Sequence, residues 1–256
     1  MEAGFGPGRL ERDSRNNYWG QGGYSSPLVS VIIVVYQDIE ELKALVENVS
    51  PLRGENLELI VIDGGSRDGT IDYLLLNSGR TDYWLSENDM GIYDAMNKGV
   101  AAARGTYILH LNAGDRLLQL PTEILKQSSK EDIDVVSFQV LIDGKEIFTP
   151  RNGFKMRVAN FWHHQGTFYS RLKHLGYDVT YKICGDFDHN QRLIKSGCQA
   201  RLLPLIVAEH KNNGISMQSS AQREILRSVR AHFGVTYSFI AFIRININKL
   251  RKLVAK

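Results

Sequence analysis

Two short aliphatic runs place the tightest limit on how this chain folds. The runs VSVIIVV, at residues 29–35, and LELIVID, at residues 57–63, are almost entirely apolar. Continuous runs of this kind are typical of strands that are buried on both faces of a parallel sheet. Between them, the segment IEELKALVENVS carries its apolar residues at helical spacing. A strand, a helix and a second strand in this order predict an α/β fold with right-handed crossovers.

The same alternation continues along the chain as far as about residue 150. SRDGTIDYLLLNSG predicts a helix, TDYWLSE a short third strand, GIYDAMNKGVAAARG a helix closed by Gly105, and TYILHLN a fourth strand. DIDVVSFQVLIDGKEI predicts a β-hairpin around an Asp-Gly turn. Beyond it the pattern is looser, and AQREILRSVRAHFG and YSFIAFIRININKLRKLVAK predict two further helices. We therefore expect a Rossmann-like, mostly parallel sheet flanked by helices, with amphipathic helices at the C-terminus.

Composition divides the chain into three expected parts. Residues 1–27 contain six glycines and almost no aliphatic side chains, which predicts a flexible N-terminal segment. Residues 28–216 are expected to form the main domain, and residues 217–256 a basic helical tail. The chain shows no signal-peptide pattern, no apolar run long enough for a transmembrane helix and no CxxC pair of cysteines. These features predict a cytoplasmic protein.

Polar side chains follow the predicted strands at the points where those strands end. Tyr36 follows the first strand, Asp63 ends the second, Asp89 follows the third and Asp115 follows the fourth. Ligands of parallel α/β sheets bind at the carboxyl ends of the strands. Carboxylates without clustered histidines suit a hard cation, and a hard cation commonly accompanies a diphosphate. Each aspartate alone is also explained as a helix cap or turn residue, but the agreement of three strand ends favours a binding edge.

Four segments, in this order, resemble the family 2 glycosyltransferases. They are VSVIIVVYQD, LIVIDGGSRDGT, SENDMGIYDAMNKGVAAARGTYILHLNAGD and GDFDHNQRLIKSG. The resemblance is greatest to bacterial members of the colanic-acid-like type, which build exopolysaccharide or O-antigen units. It implies the GT-A fold and an inverting transfer of a sugar from a nucleotide sugar, with a UDP-sugar expected, to a saccharide acceptor. It also implies Mn²⁺ or Mg²⁺ as the cofactor.

The resemblance also implies roles for individual residues. Asp186, in GDFD, stands where the family has its catalytic base, and Asp188 is the alternative base. LNAGD stands at the family's metal-binding DxD motif, where Asn112 and Gly114 replace the two carboxylates. Asp115 is therefore the expected protein ligand of the cation. The residues expected to bind the nucleotide sugar are Val35, Tyr36, Asp63, Asp89, Asn112, Ala113 and His164.

The source of positive charge for a diphosphate is less clearly indicated. Met90 stands where the family often has a lysine, which removes one phosphate contact. Lys98 or Arg104 would supply charge instead, and the alternative for both is a surface position. His210, in AEHKNNGIS, is interpreted either as a contact of the metal or diphosphate, or as a loop histidine.

The C-terminal segment is strongly basic. From residue 211 onward there are nine lysines and arginines and one acid, Glu224. An apolar stripe at near-helical spacing consists of Phe239, Ile240, Phe242, Ile243, Ile247, Leu250 and Val254. Such a helix is typical of binding to an anionic membrane surface, here the inner face of the cell membrane, and it suits a lipid-linked saccharide acceptor. The alternative is a helix packed on the domain.

Two other functions compete with sugar transfer. A nucleotidyltransferase would carry a glycine-rich basic loop after the first strand, where this chain has YQDIEE. A non-catalytic relic that still binds nucleotide sugars is suggested by the missing DxD carboxylates. No nucleic-acid partner is expected in either case.

Overall fold

A computed structural model describes residues 26–211 and 219–254, together with residues 4–5, 11–12 and 18–19. Most of the flexible segment predicted for residues 1–27 therefore lies outside the described residues. The strands are β1 (Gly4–Phe5), β2 (Glu11–Arg12), β3 (Tyr18–Trp19), β4 (Val29–Val35), β5 (Leu57–Asp63), β6 (Tyr83–Ser86), β7 (Tyr107–Asn112), β8 (Arg116–Leu117), β9 (Val135–Ile142), β10 (Glu146–Phe148), β11 (Thr167–Ser170) and β12 (Ala200–His210). The helices are α1 (Ile39–Val49), α2 (Thr70–Leu76), α3 (Ile92–Ala102), α4 (Thr122–Lys130), α5 (Gly185–Lys195) and α6 (Ser219–Val254).

One large sheet organises the described part of the chain. Its strand order is β1-β6-β5-β4-β7-β11-β9-β12-β8, and β10 pairs with β9. The strands β6, β5, β4 and β7 are parallel, and α1, α2 and α3 connect them as the alternation predicts. β11 runs antiparallel to both β7 and β9, and β8 runs antiparallel to β12. Apart from the edge strand β1, which pairs antiparallel with β6, the sheet is therefore parallel in its first half and mixed in its second half.

Helices cover both faces of the parallel strands. β4 is buried along its whole length. Its residue Val31 belongs to the same apolar cluster as Leu42 of α1, whereas Ile32 belongs to the cluster of Met96 of α3. Burying an aliphatic side chain of this size contributes about 1.5–3 kcal/mol, so the run stabilises the sheet from both sides. Because both faces are occupied, the carboxyl ends of these strands are the part left for a ligand.

The second half of the sheet contains strands that the sequence pattern does not reveal. The predicted hairpin is present as β9 and β10, and its turn residues Asp143 and Gly144 have φ of 51° and 66°. Positive φ at both central residues matches the twist of a tight hairpin. β12, in contrast, contains Pro204, and its pairing with β9 shifts register twice. Bulged strands lose the regular alternation on which strand prediction depends.

The C-terminal helix α6 consists of two helical segments that meet at Gly234. This residue has φ of 87° and ψ of −179°, a conformation that only glycine adopts readily. The break agrees with the two helices predicted for the tail. The first segment packs on α5, where Ala221 and Val229 share an apolar cluster with Phe187. Among the described residues, no helix combines the length and the apolar content needed to cross a membrane.

Candidate functional site

A cavity of about 530 Å³ opens at the carboxyl ends of β4 and β5. Its walls include Val35 at the end of β4, Tyr36 after it, Gly64 after β5, and Asp89 and Gly91 between β6 and α3. A Cβ atom added to Gly64 would lie 2.6 Å from Oδ2 of Asp89, so the carboxylate rests directly against this glycine. The volume is within the range of small-molecule sites. The cavity thus brings three of the predicted nucleotide-binding residues together.

Asp63 is fully buried next to Gly64 in the chain. Its Oδ2 accepts a hydrogen bond of 2.5 Å from the hydroxyl of Ser86 and one of 3.0 Å from the backbone N–H of Ser66. These contacts tie the end of β5 to β6 and shape the glycine turn in the cavity wall. A direct contact between Asp63 and a nucleotide base stays a prediction.

Asp186 is the second residue of α5 and its side chain is 18% exposed. Its Oδ2 accepts a hydrogen bond of 3.0 Å from the amide of Asn160 and lies 3.6 Å from Nδ1 of His164. Its Oδ1 lies 3.3 Å from the hydroxyl of Tyr93. Burial by itself raises the pKa of Asp186, but hydrogen bonding and charge at His164 together with the backbone N–H of Phe187 hold that pKa below its ordinary value. The carboxylate is therefore ionised at neutral pH.

Asp188, the alternative base, has a different environment. Its side chain is 4% exposed, and its Oδ2 accepts a hydrogen bond of 3.0 Å from Arg192. Its Oδ1 lies 3.0 Å from the hydroxyl of Ser228 and 2.8 Å from Nε2 of His232, both on α6. Asp188 thus connects α5 to α6, and this geometry favours Asp186 as the base.

Asp115 points into the protein, and its side chain is 2% exposed. Its Oδ2 accepts hydrogen bonds from the backbone N–H of Asn112 at 2.7 Å and the side-chain amide of Gln165 at 2.9 Å. Its Oδ1 lies 2.7 Å from Nδ1 of His210, whose side chain is 20% exposed at the end of β12. A carboxylate that binds one imidazole nitrogen commonly orients the other nitrogen toward a metal. The more exposed member of this pair is His210 rather than Asp115.

In the described part of the chain, no three His, Cys, Asp or Glu side chains converge on a metal position. Apart from its chain neighbours, the described residue nearest to a Cβ added to Gly114, at the third DxD position, is Glu41, whose carboxylate would lie 3.9 Å away. Two buried side-chain oxygens, Asn112 Oδ1 and Gln165 Oε1, lack a hydrogen-bond partner among the described residues. Amide oxygens are among the ligands that hard cations prefer. Few side-chain atoms here could therefore bind a hard cation, and most of them are neutral.

Three histidines, His163, His164 and His210, connect Asp115 to Asp186. The amide of Asn112 donates to Nε2 of His164 at 3.2 Å, which leaves the ring proton on Nδ1, facing Asp186. The ring of His163 stacks on His164 with centroids 5.7 Å apart and lies 5.0 Å from the ring of His210. Burial and the neighbouring imidazoles lower the pKa of His163 to about 3, so this ring is neutral. Contacts along this row connect Asn112 to His164 and His164 to Asp186, and their roles toward a nucleotide sugar stay predictions.

Neither basic residue expected to meet a diphosphate is available for that role. Lys98 forms ion pairs with Glu87 at 2.8 Å and with Asp94 at 3.5 Å. Arg104 pairs at 3.1 Å with Glu58, which is buried at the opposite end of β5. The expectation that Lys98 or Arg104 supplies charge to the cavity is therefore not supported.

Glu224 of α6 is a residue whose role the sequence does not reveal. Its Oε1 accepts a hydrogen bond of 2.9 Å from the backbone N–H of Lys182. Its Oε2 accepts two more, from Ile183 at 3.0 Å and Cys184 at 2.8 Å. These three residues lead directly into α5, so Glu224 fixes the backbone that presents Asp186. In the sequence, Glu224 is distinguished only as the single acid of a basic tail.

Comparisons with known proteins agree with this architecture. The family model described as "Glycosyl transferase family 2" matches residues 30–194. A "PGL/p-HBAD biosynthesis glycosyltransferase" of Mycobacterium tuberculosis is 28% identical over 219 residues, covering 79% of this chain and 84% of the relative. "Glycosyltransferase GlyG" of Streptococcus pneumoniae is 31% identical over 115 residues, covering 43% of this chain and 38% of the relative.

Solved structures show the same fold at low sequence identity. Residues 1–349 of S. aureus TarS in complex with UDP superpose with a TM-score of 0.61 and 13% identity, over 80% of this chain and 64% of that chain. The mannosyltransferase PcManGT of Pyrobaculum calidifontis, in complex with GDP-Man and Mn²⁺, gives a TM-score of 0.57 and 14% identity, over 80% of this chain and 63% of that chain. The predicted α/β fold of the GT-A type is thereby confirmed.

Proposed function

This chain belongs to glycosyl transferase family 2, and from that premise we propose that it moves a sugar from a nucleotide-sugar donor to a saccharide hydroxyl with inversion. The family resemblance predicted from the sequence is confirmed. Family membership does not favour the nucleotidyltransferase alternative. The colanic-acid-like type and a role in surface polysaccharide synthesis stay predictions.

The placement of Asp186 is the observation that carries the proposal. In an inverting transfer, the acceptor hydroxyl attacks the anomeric carbon from the face opposite the leaving diphosphate. A carboxylate must take the hydroxyl proton as the new bond forms. Asp186 is ionised, partly exposed, and held by Asn160 and Tyr93. α3 carries both Tyr93, which contacts Asp186, and the cavity residue Ile92, so one helix contacts both the proposed base and the cavity.

The cavity is proposed as the nucleotide site, with a UDP-sugar as the first donor to test. Tyr36, Val35 and Asp89 would contact the nucleoside, while Asn112, Ala113 and His164 would lie toward the transferred sugar. Support comes from related folds: TarS was solved with UDP and with UDP-GlcNAc, and PcManGT with GDP-Man. Asp63 would act indirectly, by holding the glycine turn that forms part of the pocket wall.

A divalent cation, Mn²⁺ or Mg²⁺, is proposed as the cofactor. The unpartnered Oδ1 of Asn112 and the imidazole of His210 would hold it, with Asp115 orienting that imidazole. Few protein carboxylates face this position, so the donor diphosphate would supply the remaining oxygen ligands. When bound, such a cation stabilises the negative charge that develops on a departing diphosphate.

The acceptor is proposed to be a lipid-linked saccharide presented at an anionic membrane surface. In the second segment of α6, Ala241 is buried, while Phe239 and Phe242 are 62% and 51% exposed. Arg244 reaches the ring of Phe161 at 5.3 Å, so the helix packs on the domain through its less apolar side. The predicted stripe is thus turned outward as far as Ile247, while the side chains of Leu250 and Val254 lie outside the described ones. An outward apolar face on a basic helix suits the surface of an anionic bilayer.

The test is a donor screen followed by substitution of the base. Thermal unfolding with UDP-sugars and GDP-sugars identifies the donor, since a ligand of the native state raises the melting temperature. Release of the nucleoside diphosphate is then measured with Mn²⁺. Asp186→Asn should keep donor binding and lose at least about a hundredfold in turnover, because a positioned base supplies about 10²–10⁴-fold. Donor binding without turnover in the parent protein would instead identify a non-catalytic relic.

A further inference from the structure

The proposed donor pocket requires a positively charged group that can bind the diphosphate of the donor. A nucleotide sugar carries a diphosphate, yet Asp89 places a carboxylate in the cavity wall. Position 90 holds a methionine, and Lys98 is engaged with two carboxylates. A cation from another part of the chain would therefore improve binding of the donor.

Lys182 brings its ammonium group to this position from a distant part of the sequence. Its Nζ donates a hydrogen bond of 2.8 Å to the backbone carbonyl of Met90. The same atom lies 3.9 Å from where a Cβ of Gly91 would be, and Gly91 lines the cavity. The ammonium thus lies next to Met90 and to Gly91, a residue of the cavity wall.

The chemistry of this ammonium leaves it able to bind an anion. Within the described part of the chain, its other hydrogen bond, of 3.3 Å, is to the carbonyl of Val179. An ammonium has three N–H donors, so two carbonyl contacts leave one donor for a ligand. Carbonyl oxygens orient the group without neutralising its charge. The side chain is also exposed, which gives a ligand direct access.

The backbone of Lys182 is held from a second side. Glu224 accepts the N–H of Lys182 at 2.9 Å and those of the next two residues. Because the same backbone continues into α5, the ammonium of Lys182 and the carboxylate of Asp186 stand four residues apart on one clamped segment. A donor bound between the cavity and Asp186 would have the ammonium at its diphosphate.

We propose that Lys182 is the protein cation that binds the diphosphate of the donor. The inference rests on the proposed function and adds a specific contact to it. Lys182 is then a binding residue for the leaving group, whose negative charge it offsets during transfer. Lys182 lies only four residues before Asp186. One segment would therefore both bind the donor and position the base.

Calorimetry with nucleotides that contain or lack phosphate tests this proposal. UDP and uridine, and GDP and guanosine, are titrated into the full-length protein with Mn²⁺ present. Lys182→Met should weaken binding of the diphosphate about tenfold or more, because a hydrogen bond to a charged group is lost. Binding of the matching nucleoside should not change. Lys182→Arg should keep most of the diphosphate affinity, and Lys98→Met serves as the matched control that leaves it unchanged.

A second neutral variant, Lys182→Gln, guards against loss of the tether, because its amide can still donate to the carbonyl of Met90. Thermal unfolding of each variant verifies the fold. Parental diphosphate affinity in both neutral variants would overturn the proposal and reduce Lys182 to a structural tether. Equal losses for diphosphate and nucleoside would also overturn it. A parent protein that binds neither UDP nor GDP would overturn the proposed function itself, and the inference with it.

Discussion

The Nδ1 atom of His210 lies 2.7 Å from Oδ1 of Asp115, and this contact orients the imidazole at the end of β12. If the imidazole is the metal contact, His210→Ala should abolish the gain in nucleoside diphosphate affinity that Mn²⁺ produces. Asp115→Asn keeps the shape of the side chain but weakens the orientation of His210, so it should cost about 10–100-fold in metal affinity. Calorimetry with UDP or GDP, in Mn²⁺ and in EDTA, measures both effects.

The exposed Asp72→Asn, on α2, is the control for the aspartate substitution. The opposite ranking of the two substitutions would also identify the metal ligand. If Asp115→Asn removed the response to Mn²⁺ while His210→Ala kept it, Asp115 would be the direct ligand, as the resemblance of LNAGD to the DxD motif implies.

Asp63→Asn should weaken binding of the donor nucleotide at least several-fold. The buried carboxylate accepts hydrogen bonds from Ser66 and Ser86, and losing part of such a buried network costs about 1–3 kcal/mol. Ser86→Ala removes one donor and keeps the carboxylate, so its effect on nucleotide affinity should be smaller. Calorimetry gives the affinities and thermal unfolding verifies the fold. Unchanged nucleotide affinity in a folded Asp63→Asn protein would remove Asp63 from the nucleotide site.

Acid should destabilise the protein through three histidines packed around Tyr177. The rings of His174 and His189 stack at 4.2 Å, and His110 lies 5.9 Å from His174. Burial, which is the largest cause, and the neighbouring charges lower the pKa of all three, to about 3 for His174. An unfolded histidine titrates near pH 6.5, so protons bind the unfolded state first as the pH falls. The stability these groups contribute is thus complete above about pH 6.5 and is lost as the pH falls below that value, for His174 down to about pH 3.

Each of these histidines should lower the free energy of unfolding by about 1.4 kcal/mol per pH unit within that window. Urea unfolding at a series of pH values between 7.5 and 4.5 measures the slope. His174→Phe removes one titrating ring. The change in the free energy of unfolding per pH unit should therefore be smaller by about the contribution of one histidine. A slope that is the same in the variant and the parent would show that this cluster does not govern acid stability.

The outward face of α6 should bind anionic vesicles. Phe239 and Phe242 are the test positions, because both are more than half exposed. The double substitution Phe239→Ser and Phe242→Ser should leave the protein in the supernatant after sedimentation, whereas the parent should pellet. High salt should reduce binding of the parent because it screens attraction to the head groups. Leu76→Ser is the matched control, since Leu76 is an 85% exposed residue on α2. Sedimentation of the double variant equal to that of the parent would leave α6 with a structural role only.

The parallel half of the fold could be predicted because its signals are local. Continuous apolar runs predict β4 and β5, and the polar residues after these strands indicate the edge at which the cavity lies. The second half depends on pairings between distant segments, such as β12 with β9, where a proline and bulges disturb the alternation. The site follows the same division. Asp89 and Asp186 belong to compact motifs, whereas nothing near Lys182 in the sequence places its ammonium against Met90.

The contact between Glu224 and the backbone before α5 also bears on how such a protein can change over time. The acceptor, Glu224, lies outside the segment that the family model matches, at residues 30–194, whereas the N–H donors of residues 182–184 lie inside it. A tail exchanged for that of another protein would leave three backbone N–H groups without their acceptor unless it carried an acid at the same turn. The tail and α5 are therefore expected to be inherited together, even where the surface that the tail presents diverges freely.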